Sequence, residues 1–305
     1  MLQFVAKRLV SAFLTLLLVS VLTFSLAHLA GDPAIAVAGK EASAEDIARI
    51  RAYYGFDRPI VVQYLAWCGR AVVGDFGMSY HYQQPVSDML ATRLPITLSL
   101  GVASLVFALV LSLPLGVVAA IRRGSVIDRF CLFLAVVGQA MPTFWLALLM
   151  IVFFSLTLQW LPVSGNSSWQ NFVMPTIALG YFAAPALMRL TRAGMIDALE
   201  SDYIRTAWAK GLRPFSVLFK HALRNVMIPI VSVSAVQLGA MLAGSIVVEQ
   251  IFALQGIGWL GYDATLRSDL PVVQAITLII AAFYVLLTLA ADLINAALDP
   301  RIRIA

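Results

Sequence analysis

The sequence predicts an all-α membrane protein with about six transmembrane helices, and three observations predict it. Of 305 residues, 61% are hydrophobic and only 12% charged, and the mean hydropathy is +0.89; a soluble domain runs nearer ~45–50% apolar and ~25% charged. Six apolar runs approach or exceed the roughly 20 residues needed to cross a bilayer. The basic residues are also partitioned by these runs: fourteen of the twenty-one lysines and arginines fall on one side. Short loops rich in such residues stay in the cytoplasm.

Taken in order, the first run covers residues 9–29, behind Lys7 and Arg8. A signal peptide is the other reading, with 36–38 as a small-residue cleavage site. At 21 residues the run exceeds the roughly 7–15 of a signal's apolar region, which favours a retained span. Residues 30–96 are polar and read as an ordered outer segment. Within it Ser43 followed by Asp46 starts a helix that Gly55 stops, and Asp57-Arg58-Pro59 opens a second helix carrying Tyr64 and Trp67. The remaining spans are 97–121, then 130–156 interrupted by Pro142, 173–190 with Gly180 and Pro185, 226–248 with Pro229 in its first turn, and 272–291. The inner loops are then 122–129, 189–225 and the C-terminal tail. The outer ones are 30–96, 157–172 and 249–271, and both termini are cytoplasmic. Ten of the sixteen acidic residues fall outside.

Several function classes are excluded. Cys68 and Cys131 sit on opposite sides of a span, so no disulfide framework is expected. His28, His81 and His221 are too scattered to ligate a metal. No G-x-x-x-x-G-K-[ST] phosphate loop occurs, so the chain is not expected to hydrolyse ATP. The spans carry almost no charge, which disfavours an ion-driven carrier or a stand-alone channel; Glu249 and Asp292 read as interfacial residues at span ends. No nucleophile–base pair falls at membrane depth, which disfavours an intramembrane enzyme. The driving force is expected from another polypeptide.

The inner loop DALESDYIRTAWAKGLRPFSVLFKHALRN (197–225) holds the functional signal. Residues 197–210 have helical composition, Gly211 permits a left-handed turn, and Pro214 restarts a helix. Leu212, Phe215, Val217, Leu218 and Phe219 form an apolar cluster flanked by Arg213, Lys220 and Arg224. The residues alone leave two readings: an amphipathic loop held by anionic lipid, or a docking element with Tyr203, Trp208 and Phe215 as aromatic anchors.

This segment resembles the EAA loop of ABC-importer permeases. The pattern D-Y-I-R-T-A-x-A-K-G-L followed by H-A-L-R-N is similar to the variant in the dipeptide/oligopeptide/nickel permease family, from which Trp208 departs where an arginine is common. Further similar elements are Ala30-Gly31-Asp32-Pro33, Gly55-Phe56-Asp57-Arg58-Pro59, Gly74-Asp75-Phe76-Gly77, Arg93-Leu94-Pro95, Arg192-Ala193-Gly194-Met195, Val247-Val248-Glu249, Gly256-Ile257-Gly258, Asp269-Leu270-Pro271-Val272-Val273-Gln274 and Asp299-Pro300-Arg301-Ile302-Arg303.

The resemblance implies a type I ABC-importer permease fold with a cytoplasmic coupling helix and an ordered extracytoplasmic segment. It divides the chain into 1–29, 30–96 and 97–305, with the coupling loop at 197–225. It implies a second, similar permease, two ATP-binding subunits that hold ATP and Mg, an extracytoplasmic substrate-binding protein, and a bacterial inner membrane. No cofactor, metal, catalytic residue or nucleic acid is implied for this chain. Asp202, Tyr203, Arg205, Thr206, Ala207, Lys210, Gly211, Leu212 and Phe215 would contact the ATPase, with Ala207 and Gly211, four apart, on one helix face. Gln237, Gly239, Ala243, Gly244 and Ser245 would line the path; the small-residue spacing also suits packing within one subunit. Asp32, Asp75, Glu249 and Asp269 would receive the binding protein. The expected cargo is a short peptide, with glutathione or chelated nickel as alternatives.

Overall fold

The computed structural model describes residues 2–29, 32–39 and 42–298. Ala30, Gly31 and the Asp299–Arg303 motif lie outside the described residues. The described chain is helical throughout, with a single isolated antiparallel bridge, Met78 to Pro85. The helices are α1 (Leu2–Leu29), α2 (Pro33–Ala38), α3 (Ala44–Tyr54), α4 (Ile60–Val72), α5 (Val86–Ile121), α6 (Val126–Ala140), α7 (Thr143–Met150), α8 (Gln170–Leu199), α9 (Asp202–Ala209), α10 (Leu223–Ile251), α11 (Ile257–Leu266) and α12 (Leu270–Leu298). Wide π-helical turns extend α7 over Ile151–Thr157 and lead into α10 over Ser216–Ala222.

Five stretches are long and apolar enough to cross a membrane: Val5–Leu26, Val86–Ile121, Gln170–Leu199, Ser216–Ile251 and Leu270–Ala296. The third expected span differs. It is two helices, Val126–Ala140 and Thr143–Thr157, meeting at 98°. Pro142 causes the break, because its ring pushes the preceding residue out of the helical region; Met141 is extended, at φ −82° and ψ 119°. A 15-residue helix is about 22 Å long, so neither arm alone spans the roughly 30 Å of hydrocarbon. The second span also departs from expectation: α5 begins at Val86, eleven residues before the apolar run at 97, and carries Pro95 inside it.

The core forms where α5 and α8 run together. A Cβ on Gly180 would lie 2.5 Å from the Ser104 carbonyl oxygen, and one on Gly116 would lie 2.8 Å from that of Met188. Only glycine lets the two backbones approach so closely. Leu100, Ala108, Ala183, Leu187, Met195 and Ile230 fill the space between α5, α8 and α10. At one end Arg192 of α8 grips Asp128 of α6 with two hydrogen bonds, 2.6 and 2.8 Å, and the Gly124 N–H donates to the same carboxylate. This bidentate pair, with Asp128 buried, ties the broken third span to the core.

The outer segment is ordered by local signals. Asp32 accepts from the Ala34 N–H, capping α2, and pairs with Arg51 of α3. Ser43 caps α3, which Gly55 ends in the left-handed region at φ 71°. α4 leans on α1: the Tyr64 and Ser20 hydroxyls lie 2.8 Å apart, and the Phe24 ring meets Tyr64 and Trp67 at 5.4 and 5.8 Å. Cys68 and Cys131 are both free thiols.

Candidate functional site

The inner loop is pinned by one face and projects the other. α9 buries Ile204 and Ala207, and the following π turn buries Val217 and Ala222, all four in the main core. Asp202 pairs with Arg205 at 3.0 Å, and the Thr206 hydroxyl donates to the Asp202 carbonyl. α9 ends in a Schellman closure: the Gly211 N–H donates to Trp208 O at 2.9 Å and the Leu212 N–H to Ala207 O at 3.3 Å. Gly211 sits at φ 69°, where an L side chain is strained. Beyond the turn Phe215, 71% exposed, packs on Phe219 with centroids 4.5 Å apart. The result is an exposed Phe215–Phe219 ridge, with Tyr203, Trp208 and Leu212 also exposed on the loop among Arg205, Lys210, Arg213 and Lys220.

Eight of the nine inner-loop residues singled out from the sequence are therefore exposed: Asp202, Tyr203, Arg205, Thr206, Lys210, Gly211, Leu212 and Phe215. Ala207 is not; it faces the core. Nor do Ala207 and Gly211 share a helix face, because α9 has already ended when the chain reaches Gly211.

The outer corner is built around acids that the sequence placed at the surface. Glu249 is fully buried. It accepts from the Thr97 hydroxyl at 2.7 Å, the Ser245 hydroxyl at 2.9 Å and the Trp259 N–H at 2.8 Å. The Thr97 hydroxyl oxygen in turn accepts from the Ile257 N–H. Glu249 thus caps α11 from inside and joins it to α5 and α10. A Cβ on Gly256 would lie 2.6 Å from its carboxylate. The expectation of an interfacial, partner-facing Glu249 is corrected, and with it Ser245, which is buried and bonded to Glu249 instead of lining a path.

Asp269 is corrected likewise. Buried just before α12, it accepts from the Ser79 hydroxyl and the Tyr80 and His81 N–H groups, fastening the 79–84 loop. Nearby, Tyr82 donates to Asp263 of α11 at 2.5 Å, and Arg267 donates to the same oxygen at 2.8 Å. Burial pushes the Asp263 carboxyl up, but these two hydrogen bonds outweigh it and hold the group below its ordinary value. Burial, with Asp263 beside it, raises the Tyr82 phenol. Asp32 is half-buried in its cap, while Asp75 is exposed, accepts from the Gly77 N–H, and lies on a cavity of about 450 Å3 lined also by Phe24, Trp67, Phe76, Tyr80 and Gln274.

Along α10, Gln237 is half-buried and Gly239 faces Tyr284 of α12, whose ring a Cβ would overlap at 2.2 Å. Ala243 and Gly244 are exposed, with open space beside Gly244. Among the described residues no group of three or more His, Cys, Asp or Glu side chains could hold a metal ion. Sequence reasoning missed the Glu249 hub, the Asp263–Tyr82 tether and the Asp128–Arg192 pair; the Gly256-x-Gly258 spacing after Glu249 was the one signal for the first.

A bundle of membrane helices with a core-anchored loop that exposes aromatic side chains suits a transport permease. The chain belongs to the family described as binding-protein-dependent transport system inner membrane component: that model matches residues 112–304, and its N-terminal companion matches residues 1–101. Over 304 residues the chain is 42% identical to the glutathione transport system permease protein GsiC of Escherichia coli strain K12, covering 99% of each, and equally so to that of Shigella dysenteriae serotype 1. Its fold matches an inward-facing structure of the MetNI methionine ABC transporter with a TM-score of 0.59 at 21% identity, covering 69% of this chain and 96% of that one. The protein is a multi-pass inner-membrane permease subunit of an ABC importer, with ATPase and substrate-binding partners; ATP hydrolysis lies in the partner subunits.

Proposed function

We propose that this subunit carries short peptides inward as one half of a pair with a second, similar permease, its termini and inner loop in the cytoplasm. ATP and Mg are held by the partner ATPases and no nucleotide by this chain. The observation that supports the coupling role is the set of exposed apolar side chains on the loop, Tyr203, Trp208, Leu212, Phe215 and Phe219, backed by four buried anchors. Exposed aromatics on a rigid support suit a protein contact. A displacement applied there is passed through the π turn at Ser216–Ala222 into α10, with which it is continuous. Closure of the ATPases on ATP would draw the inner loops together and open the outer side, and hydrolysis would reverse it. The binding protein would meet the outer face.

Within the peptide class, glutathione is the specific cargo that the names of the 42% identical relatives favour. The test is uptake by liposomes holding this chain with its permease partner, ATPases and binding protein. Labelled dipeptide, glutathione and a nickel chelate are offered with and without ATP. ATP-dependent entry of dipeptide or glutathione supports the proposal, and competition between the two ranks them. Entry of the nickel chelate alone would remove the peptide class, and uptake by this chain alone without ATP would establish a channel or carrier.

A further inference from the structure

We infer that α4 lies in the outer leaflet of the membrane, with its free face against lipid. The helix is apolar nearly all round, and its one charged residue is Arg70; such a helix has no stable place surrounded by water. One face is accounted for by Tyr64 and Trp67, which pack on Phe24 of α1. The other face carries Val61, Leu65 and Val72, with Val73 just beyond it, and is exposed: Leu65 by 63% and Val72 by 87%. With 13 residues α4 is about 20 Å long, too short to cross the roughly 30 Å of hydrocarbon, so it lies along the membrane.

Its depth follows from its partner. Tyr64 is hydrogen-bonded to Ser20, six residues inside the outer end of the apolar stretch Val5–Leu26, or about 9 Å down the helix axis. A contact at that level draws α4 below the headgroups. Because α4 packs directly on α1, its free face continues the exposed apolar flank of Leu14, Leu18, Val21 and Leu22 that α1 offers to lipid. Arg58 before the helix and Arg70 in its last turn line the cavity that Asp75 borders, whereas Val61, Leu65 and Val72 do not, so neither charge interrupts the free face. The outer segment is therefore divided: α3, with Glu45, Asp46, Arg49 and Arg51, carries charges that belong in water, and α4 is sunk in the membrane. This holds whichever solute the permease moves.

The test uses the assembled transporter in liposomes, with Cys68→Ser and Cys131→Ser and a nitroxide attached at Leu65→Cys or Val72→Cys. Tyr53→Cys on α3, where Tyr53 is 83% exposed, is the water-facing control. Collisions with oxygen and with a water-soluble nickel chelate are compared. Lipid contact at α4 gives high oxygen and low nickel access, the inverse of the control. High nickel access at both α4 sites would place the helix in water, and low access to both reagents would mean a protein partner covers it; either result overturns the inference. The two α4 sites are independent, so a variant that fails to assemble leaves the other to decide.

Discussion

Gly211 holds the turn between α9 and the π segment, and its φ of 69° is the reason a glycine stands there. A left-handed L residue costs about 1–2 kcal/mol, yet no atom lies within 4 Å of where its Cβ would be. Backbone strain and protrusion can therefore be separated. Gly211→Ala should cost about 1–2 kcal/mol locally and leave most transport intact. Gly211→Trp adds similar strain but a bulky projection beside the ridge; it should abolish ATP-driven uptake while the amount of inserted protein is unchanged. Full uptake and normal ATPase co-purification in the Trp variant would remove Gly211 from the docking surface. The Asp263 tether gives a second prediction at this scale. Its carboxyl is held below its ordinary value, so its contribution is present in full above roughly pH 4, the unperturbed aspartate range, and is lost as pH falls through the lower folded value. The melting temperature of Asp263→Asn should fall short of the parent by a constant amount from neutral pH down to that range, and the gap should close only below it. A gap that grew on acidification would contradict the sign.

Between elements, the decisive join is Glu249, where α5, α10 and α11 meet. Glu249→Leu would leave the Thr97 and Ser245 hydroxyls and the Trp259 N–H without their acceptor. The Ser245 hydroxyl can turn to the Leu242 carbonyl, 3.1 Å away; at roughly 1 kcal/mol or more for each of the other two orphaned donors, the loss should be about 2 kcal/mol, against less for Glu249→Gln, which keeps an acceptor oxygen and the shape. Thermal unfolding of the solubilised protein followed by tryptophan fluorescence reads the difference, and equal stability of all three forms would sink the assignment. Why this hub escaped sequence reasoning is physical. Helix starts and stops such as Ser43, Gly55 and Gly211 are set by neighbours within a few residues, and those were legible. Pro142 was legible as an interruption, but the 98° angle depends on what each arm packs against. Glu249 finds its hydroxyl partner at Thr97, 152 residues away; at the end of an apolar run it looks the same whether it meets water or three donors. Ala207 failed similarly, because a motif match fixes a residue's place in the loop and leaves open which face of α9 the core takes.

For the whole molecule, α10 carries both a packed face and an open one. Two glycines five residues apart on this helix have opposite surroundings: Gly239 is pressed against Tyr284 of α12, and Gly244 stands beside open space with Ala243 exposed next to it. A small-residue surface that no helix among the described residues covers is where another membrane helix can approach closely, which fits the proposed pair of permeases. The two positions should therefore fail in different ways. Gly239→Leu forces a side chain into the Tyr284 ring and should destabilise the isolated chain, by about 1–3 kcal/mol if the ring can shift. Gly244→Leu should leave the isolated chain as stable as the parent, yet weaken its co-purification with the second permease and lower ATP-driven uptake with it. Measuring both variants for monomer melting temperature and for recovery of the assembled transporter separates the roles. If Gly244→Leu assembled and transported normally, that face of α10 would be turned to lipid, and the partner permease would have to be sought on another surface.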